Sequence, residues 1–517
     1  MKTRSVFLLL LCGIITVNAQ TAKKPGTPKT NILFISIDYL NDCINIGKWS
    51  GRKGMKTPNF ERLSKMSMTF TYCGVAAPAC APSRVSIMTG VHPVRSGITG
   101  WKHPEWRKVP ALQQVETIEQ FFKTRGYTTL GGGKIYHTQA PPRTLSNQSE
   151  EHGWDFYFPS IHVPVPFQIR APNEVINIPN KTDVPQPDYF SWGPIPIEDK
   201  MMADYQVVDW ANYSLSLKHE KPFFLAVGLT KPHDQWEVPQ KYFDMYPLDS
   251  VQDVEVKKDD LRDTWVHGRR LLEKFIIGNQ QTKKVVQSYM ATISFADAML
   301  GRLLDGLERS KYKDNTIIIL WSDHGMHMGE KENWEKFTLW ERSLKTPLMI
   351  RMPGTTTPGS LSDIPVGTID LFPTLAEMIG EKPPAYCDGE SLLPLISHKT
   401  KVHRPVLSTY EVKDSASQTH YDAYTLRTTT HRYIYYPSSG LEELYDHRVD
   451  DNEWNNIAYK TESKSIINNF RNLLQQHLPA LKWKDGIPKG YEILKNGEIR
   501  KLDYRSIEDL KDKKWWM

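Results

Sequence analysis

Thiols are scarce in this chain. Five cysteines fall among 517 residues and no two of them form a C-x-x-C pair, which excludes a disulfide framework and a thiolate zinc site. Basic runs are missing as well. The net charge of +6 is spread along the chain, with no arm for a nucleic-acid backbone, although it could favour an anionic ligand. Long apolar stretches are confined to one place. "MKTRSVFLLLLCGIITVNA" sets Lys2 and Arg4 before an apolar run from Val6 to Val17 and closes on Ala19. The run is too short for a bilayer and reads as a secretory signal over residues 1–19, removed on export to the periplasm or the medium. No later segment is long and apolar enough for membrane insertion. Repeats and low-complexity tracts are absent, and 39% hydrophobic with 24% charged residues is an ordinary globular balance. At this length one large and one smaller domain are expected.

What is present is a series of strand patterns that end in chemistry. "NILFISID", residues 31–38, is an unbroken apolar run of the kind a strand buried on both faces requires, and it closes on Asp38. "GYTTLGGGKIYH" passes from a short strand into Lys134 and His137. "PFFLAVGLTKPH" carries Phe223 to Val227 into Lys231 and His233, and "NTIIILWSDHG" carries Thr316 to Trp321 into Asp323 and His324. Helical periodicity lies between these strands. It covers "TIEQFFKTRG", closed by Gly126, and a longer stretch with Val286, Tyr289, Ile293, Ala296, Leu300, Leu303 and Leu307 on one face. The alternation predicts an α/β fold, a large mixed and mostly parallel sheet sandwiched by helices. Ligands in such sheets bind beyond the carboxyl ends of the strands. Four strand ends bearing acids, lysines and histidines put an active site at that edge.

Asp38, Asp323 and His324 are the candidate metal ligands. Two carboxylates and an imidazole suit a hard dication, calcium or alternatively magnesium. Arg84, Lys134 and Lys336 (in "ENWEKFT") add three positive charges. A dication among cations suits a tetrahedral oxyanion, phosphate or sulfate. "CAPSRVSIMTG", residues 80–90, sets Cys80 at an expected helix N-terminus with Arg84 one turn on.

That stretch matches the signature C-x-P-S-R followed by T-G, and on it the chain resembles the type I, formylglycine-dependent sulfatases. "NILFISID", "GGGKIYH", "LAVGLTKPH", "WSDHGMHMGEKENWEKFT", "IDLFPTLAEMIG" and "ELYDHRVDDNEWNNIA" extend the likeness over nearly the whole mature chain. "KPH", and His324 where other members carry Asn, look closest to the iduronate-2-sulfatase branch. The resemblance implies an alkaline-phosphatase-like catalytic domain over 28–395 and an antiparallel-sheet subdomain over 402–517. It implies hydrolysis of a sulfate ester on a sulfated carbohydrate: a glycosaminoglycan uronic acid 2-O-sulfate, or another sulfated polysaccharide such as ulvan or carrageenan. Cys80 would be oxidised to formylglycine by a formylglycine-generating enzyme. Its hydrate would bind the metal with Asp38, Asp323 and His324 and attack sulfur beside Arg84, Lys134 and Lys336. His233, with Lys231 near it, would protonate the leaving oxygen, and His137 would take the proton that releases sulfate.

One position departs from that pattern. The family carries two successive aspartates after the first strand, and here "SIDYLND" has Tyr39 second. A phenol with an ordinary pKa of roughly 10 is a poor ligand for a hard cation, which leaves Asp42 or water to fill the place. Two other readings remain open: a phosphate or phosphonate monoester hydrolase of the same superfamily, and a catalytically weak sulfated-glycan-binding relative. Towards the C-terminus "YDAYTLRTTTHRYIYYPSSG" alternates like strands, "LEELYDHRVD" reads as a turn-bounded segment, and "KSIINNFRNLLQQHLP" as a packed helix. "YEILKNGEIRKL" is a hairpin signalled by Asn496-Gly497. His431 and Arg427 are expected to be structural. His103, Trp106, Arg107, His267 and Arg269 are candidate sugar contacts in loops whose ordinary role would be surface. Asn147, Asn180 and Asn212 open glycosylation sequons, but the bacterial style of the signal predicts no glycans.

Overall fold

The first apolar run forms the strand Asn31–Ile37 (β1), and all seven of its residues are buried. In the computed structural model residues 30–504 are described, apart from 47, 48, 51, 101–105, 138–152, 159–190, 266–275, 279, 400–403 and 414–419. The expected signal, Asn147, Asn180, His103, His267 and Arg269 lie outside the described residues. After β1 the large sheet takes Met68–Gly74 (β2), Thr128–Gly133 (β3), Phe156–Phe158 (β4), Phe223–Leu229 (β5) and Thr316–Trp321 (β6). Lys345–Arg351 (β7), Ser360–Ser362 (β8) and Val366–Gly367 (β9) complete it. The spatial order is β8-β2-β7-β6-β1-β5-β3-β4, with β9 also on β2. β7 is antiparallel to both its neighbours and every other pairing is parallel, so β7 alone runs against the rest.

Alternate residues of each central strand enter opposite cores, as the two-residue period of a strand requires. On one face Leu33, Ile35 and Ile37 pack with Ile318 and Leu320 against Ala203–Ser216 and the long helix Thr282–Arg309. On the other, Ile32, Phe34, Ile317, Ile319 and Trp321 meet Val85, Ile87 and Met88 and the helices Ile118–Thr124 and Leu371–Met378. Burying each such side chain contributes about 1.5–3 kcal/mol, so the strand ends are anchored from both sides. β1 lies between β5 and β6, which brings three of the four chemistry-bearing ends side by side, and β3 brings the fourth next to β5.

A second sheet is antiparallel, in the order Val406–Lys413 (β10), His420–Arg427 (β11), His431–Tyr436 (β12) and Leu441–Asp446 (β13). The segment read as turn-bounded, "LEELYDHRVD", is thus the edge strand β13. Five of its six residues are buried, because both faces of this sheet are covered. Phe470 and Leu474 of the helix Lys464–His477 pack on one face. Leu339, Trp340 and Leu344 cover the other, joined by the expected hairpin Tyr491–Ile493 and Ile499–Lys501. Arg427 pairs with buried Glu341, and His431 lies 3.8 Å from Asp446, both within this structural layer.

Candidate active site

Cys80 is the first residue of the helix Cys80–Thr89, which is buried along its whole length. Pro82 fits there because amide groups in a first turn have no helical acceptor. Arg84 follows Cys80 by four residues and so shares its face of the helix. Its Nε donates to Asp323 Oδ2 at 2.9 Å, and its Nη2 lies 3.4 Å from Asp38 Oδ1. Nη1 donates to Ser36 Oγ at 3.1 Å and to the carbonyls of Lys134 and Ile135 at 2.7 and 2.9 Å. One guanidinium therefore ties together the ends of β1, β3 and β6.

The other charges converge on Cys80 from far along the chain. Lys336 Nζ lies 2.7 Å from Cys80 Sγ and 2.8 Å from His324 Nε2. His324 Nε2 is itself 3.2 Å from the thiol, while its Nδ1 faces the Gly325 carbonyl at 3.0 Å. With the proton on Nδ1, the Nε2 lone pair points into the site. Lys134 is ion-paired with Asp38, and His137 shares a hydrogen bond with the thiol. Ser83 Oγ donates to the Asp323 carbonyl at 2.5 Å, fixing the helix against the end of β6.

These charges act on the thiol. Burial opposes a thiolate, but Lys336 and then Lys134 outweigh it and hold Cys80 well below the usual cysteine value. The remaining described cysteines have the opposite fate: burial pushes Cys43, Cys73 and Cys387 up to about 12. Cys80 is the chemically prepared one. Burial and Asp323 push the Asp38 carboxyl up, yet Lys134 and Arg84 bring it below the ordinary range, and Asp323 is lowered likewise against its burial, chiefly by Arg84. Both acids are ionised carboxylates. His137 is lowered by burial and stays a neutral base. His233 goes the other way. Burial disfavours its charge, but the Asp234 carboxylate, 2.6 Å from Nδ1, raises it to about 9, so it holds a proton at neutral pH.

Asp38, Cys80, Asp323 and His324 each offer a ligand atom, and these atoms lie within 4.8 Å of one another. Two ionised carboxylates and an open imidazole lone pair fit a hard dication, and an oxygen at residue 80 would fit better than sulfur. A second group of Glu341, His447 and Glu453 also clusters, but Arg432 and Arg427 neutralise its carboxylates.

One expectation needs correction. Asp42 does not turn into the site: its carboxylate is held at 3.1 Å by both Arg342 and Lys345, which draw it the other way. The Lys231 ammonium lies beside His233, donating to its carbonyl at 3.5 Å and to the carbonyl of Gln235. Trp106 and Arg107 are also engaged locally. Arg107 stacks 4.5 Å from the Trp106 ring and donates to the Val115 carbonyl at 2.6 Å. Asn212 donates to the Arg302 carbonyl at 3.1 Å, between two helices. Asp234 was missed as the partner of His233, although an acid directly after "KPH" was a readable signal. Tyr39, expected only as a defect, proves to be a wall: its ring centroid lies 4.2 Å from that of His233 and 4.5 Å from that of His324, edge-on to both.

A family model described as Sulfatase matches residues 30–381, and one described as N-sulphoglucosamine sulphohydrolase, C-terminal, matches 329–479. A protein named Sulfatase from Formosa agariphila is 35% identical over 492 residues, covering 92% of each chain. Iduronate 2-sulfatase of Homo sapiens is 26% identical and covers 74% of each chain. Among solved structures, a phosphonate monoester hydrolase from Silicibacter pomeroyi superposes with a TM-score of 0.69 at 19% identity, covering 92% of this chain and 99% of that one. At such identity the likeness speaks to the fold, and it is the alkaline-phosphatase-like one.

Proposed function

The chain belongs to the sulfatase family and is a sulfuric ester hydrolase; from that premise we propose that it is exported and removes sulfate from a sulfated carbohydrate, with residue 80 as formylglycine. The observation that carries this reading is the environment of Cys80: a buried thiol held low by two lysines, inside a ligand set for a dication. Iduronate 2-sulfatase among the relatives supports a sulfated uronic acid as the substrate class, with other sulfated polysaccharides sharing the chemistry.

Asp38, Asp323, His324 and the oxygen of modified residue 80 would hold calcium, which would polarise the sulfate oxygens and favour ionisation of a hydroxyl. The chain's own groups do the rest. Arg84 orients Asp38 and Asp323 and, with Lys134 and Lys336, provides a positive floor for the sulfate oxygens. One hydroxyl of the aldehyde hydrate, ionised with its proton released to solvent, attacks sulfur; the bond from sulfur to the sugar oxygen breaks, and that oxygen takes the proton held by His233. The second hydroxyl gives its proton to neutral His137, the carbon–oxygen bond to sulfate breaks, and the aldehyde is restored. A serine in this position would lack the second hydroxyl and stall at the sulfated stage.

The test is released sulfate from a panel of defined sulfated oligosaccharides, with an aryl sulfate and an aryl phosphate side by side. Mass spectrometry of the peptide containing residue 80 accompanies it, on protein from the native host or from cells with a formylglycine-generating enzyme. Sulfate release with conversion to the aldehyde supports the reading. An unmodified thiol, or a preference for phosphate, overturns it.

A further inference from the structure

Tyr39 stands where the family pattern has its second aspartate, and the structure gives it work of another kind. Its backbone has φ of 64°, in the left-handed region that a bulky side chain rarely enters. The conformation is held from both sides. The Tyr39 amide donates to Asp323 Oδ1 at 3.3 Å, and its carbonyl accepts from the Tyr289 hydroxyl at 2.7 Å. The result is a ring 1% exposed at the floor of the site. Lys336 Nζ lies 3.8 Å from the centroid of that ring. The same ammonium is within hydrogen-bond reach of residue 80 and His324. The same ring stands against the imidazoles of both His233 and His324, at centroid distances of 4.2 and 4.5 Å.

We propose that Tyr39 is a positioning residue for the reaction: its ring is the platform that holds the Lys336 ammonium on residue 80 and spaces the proton donor His233 from His324. The inference rests on the sulfatase reading above. A buried ammonium over an aromatic face is stabilised by the ring quadrupole, and loss of the face leaves Lys336 without a wall on that side. The arrangement has a counterpart in the ligand set. With Asp42 bound to Arg342 and Lys345, the loop after β1 would offer a dication Asp38 alone.

The test compares Tyr39→Phe, Tyr39→Leu and Tyr39→Asp in fully converted enzyme, verified at residue 80 by mass spectrometry. kcat and KM are measured on an aryl sulfate and calcium affinity by calorimetry. Tyr39→Phe keeps the ring, and kcat is expected within about twofold of the parent. Tyr39→Leu loses the platform, and kcat falls about tenfold to thirtyfold, as for a buried cation–π contact, with calcium affinity little changed. Tyr39→Asp binds calcium at least tenfold more tightly yet shares the low kcat of the leucine variant. A leucine variant with parental kcat, a phenylalanine variant as weak as the leucine one, or an aspartate variant with higher kcat would each overturn the proposal. If Tyr39→Leu does not fold, Tyr39→Asp and Tyr39→Phe carry the decision between them. A parent enzyme that releases no sulfate indicts the underlying reading instead, whatever the variants do.

Discussion

Replacing Gly228 by alanine offers a sharp trial of how the strand ends place Lys134. Gly228 is the penultimate residue of β5, and its carbonyl accepts from the Lys134 amide at 3.0 Å. A Cβ built on Gly228 would stand 2.6 Å from Lys134 N and closer still to the carbonyl carbon and oxygen of that residue. Backbone cannot rotate away as a flexible side chain can, so the ends of β3 and β5 must part by about half an ångström or more. That movement is transmitted directly. The Lys134 carbonyl accepts from Arg84, and the Lys134 ammonium is paired with Asp38. Overpacking of this kind costs about 1–3 kcal/mol of stability, and displacement of a catalytic group by about 1 Å costs on the order of a hundredfold in rate. Gly228→Ala is therefore expected to stay folded while kcat/KM for sulfate release falls by roughly thirtyfold to a hundredfold. Gly278→Ala is the control, since nothing lies within 4 Å of its added carbon. Calorimetric unfolding and initial-rate sulfate release would be measured on both. If Gly228→Ala stays within twofold of the parent, the close approach of these strand ends does not set the position of Lys134, and the reasoning fails.

Asp234→Asn removes the carboxylate that raises His233 to about 9. A general acid is lost as pH rises through its pKa, so the alkaline limb of kcat should move to lower pH in this variant; an unmoved limb would clear Asp234 of that role. Chelation should abolish sulfate release, with calcium restoring it, and Asp323→Asn should raise the calcium needed for half activity at least tenfold; activity that persists in chelator excludes the metal set. Arg432, fully buried between Glu341 and Glu453, clamps the antiparallel sheet to the segment after Lys336. Arg432→Met leaves two carboxylates underpaired and should cost about 3–5 kcal/mol in urea unfolding, and a loss below about 1 kcal/mol would show the clamp to be dispensable.

Much of this was legible in the chain because its carriers are local. An apolar run such as Thr316–Trp321 declares a buried strand, and the residues that leave its end must stand at the sheet edge. Cys80 and Arg84 are one helical turn apart, so their shared face follows from spacing alone. The edge strand Leu441–Asp446 was missed for the converse reason. With one face on Lys464–His477 and the other on the Trp340 layer it is buried on both, so its glutamates point inward, Glu443 to Trp340 Nε1 at 2.8 Å and Glu442 to Tyr433. An acidic pattern reads as exposed until those partners are known.

The linear order of residues thus determined the strands, the helix that starts at Cys80, and the identity of the groups delivered to one edge. Only tertiary structure decided which of them face inward. Tyr39 and Asp42 lie three residues apart, yet the phenol is in the site and the acid outside it, because Arg342 and Lys345, some three hundred positions along the chain, claim the carboxylate. Lys336 reaches Cys80 across 256 positions through a loop with no regular period, and its final place depends on the ring beneath it. Backbone periodicity is a local property, whereas the direction of a charged side chain is set by the distant charges and rings packed against it.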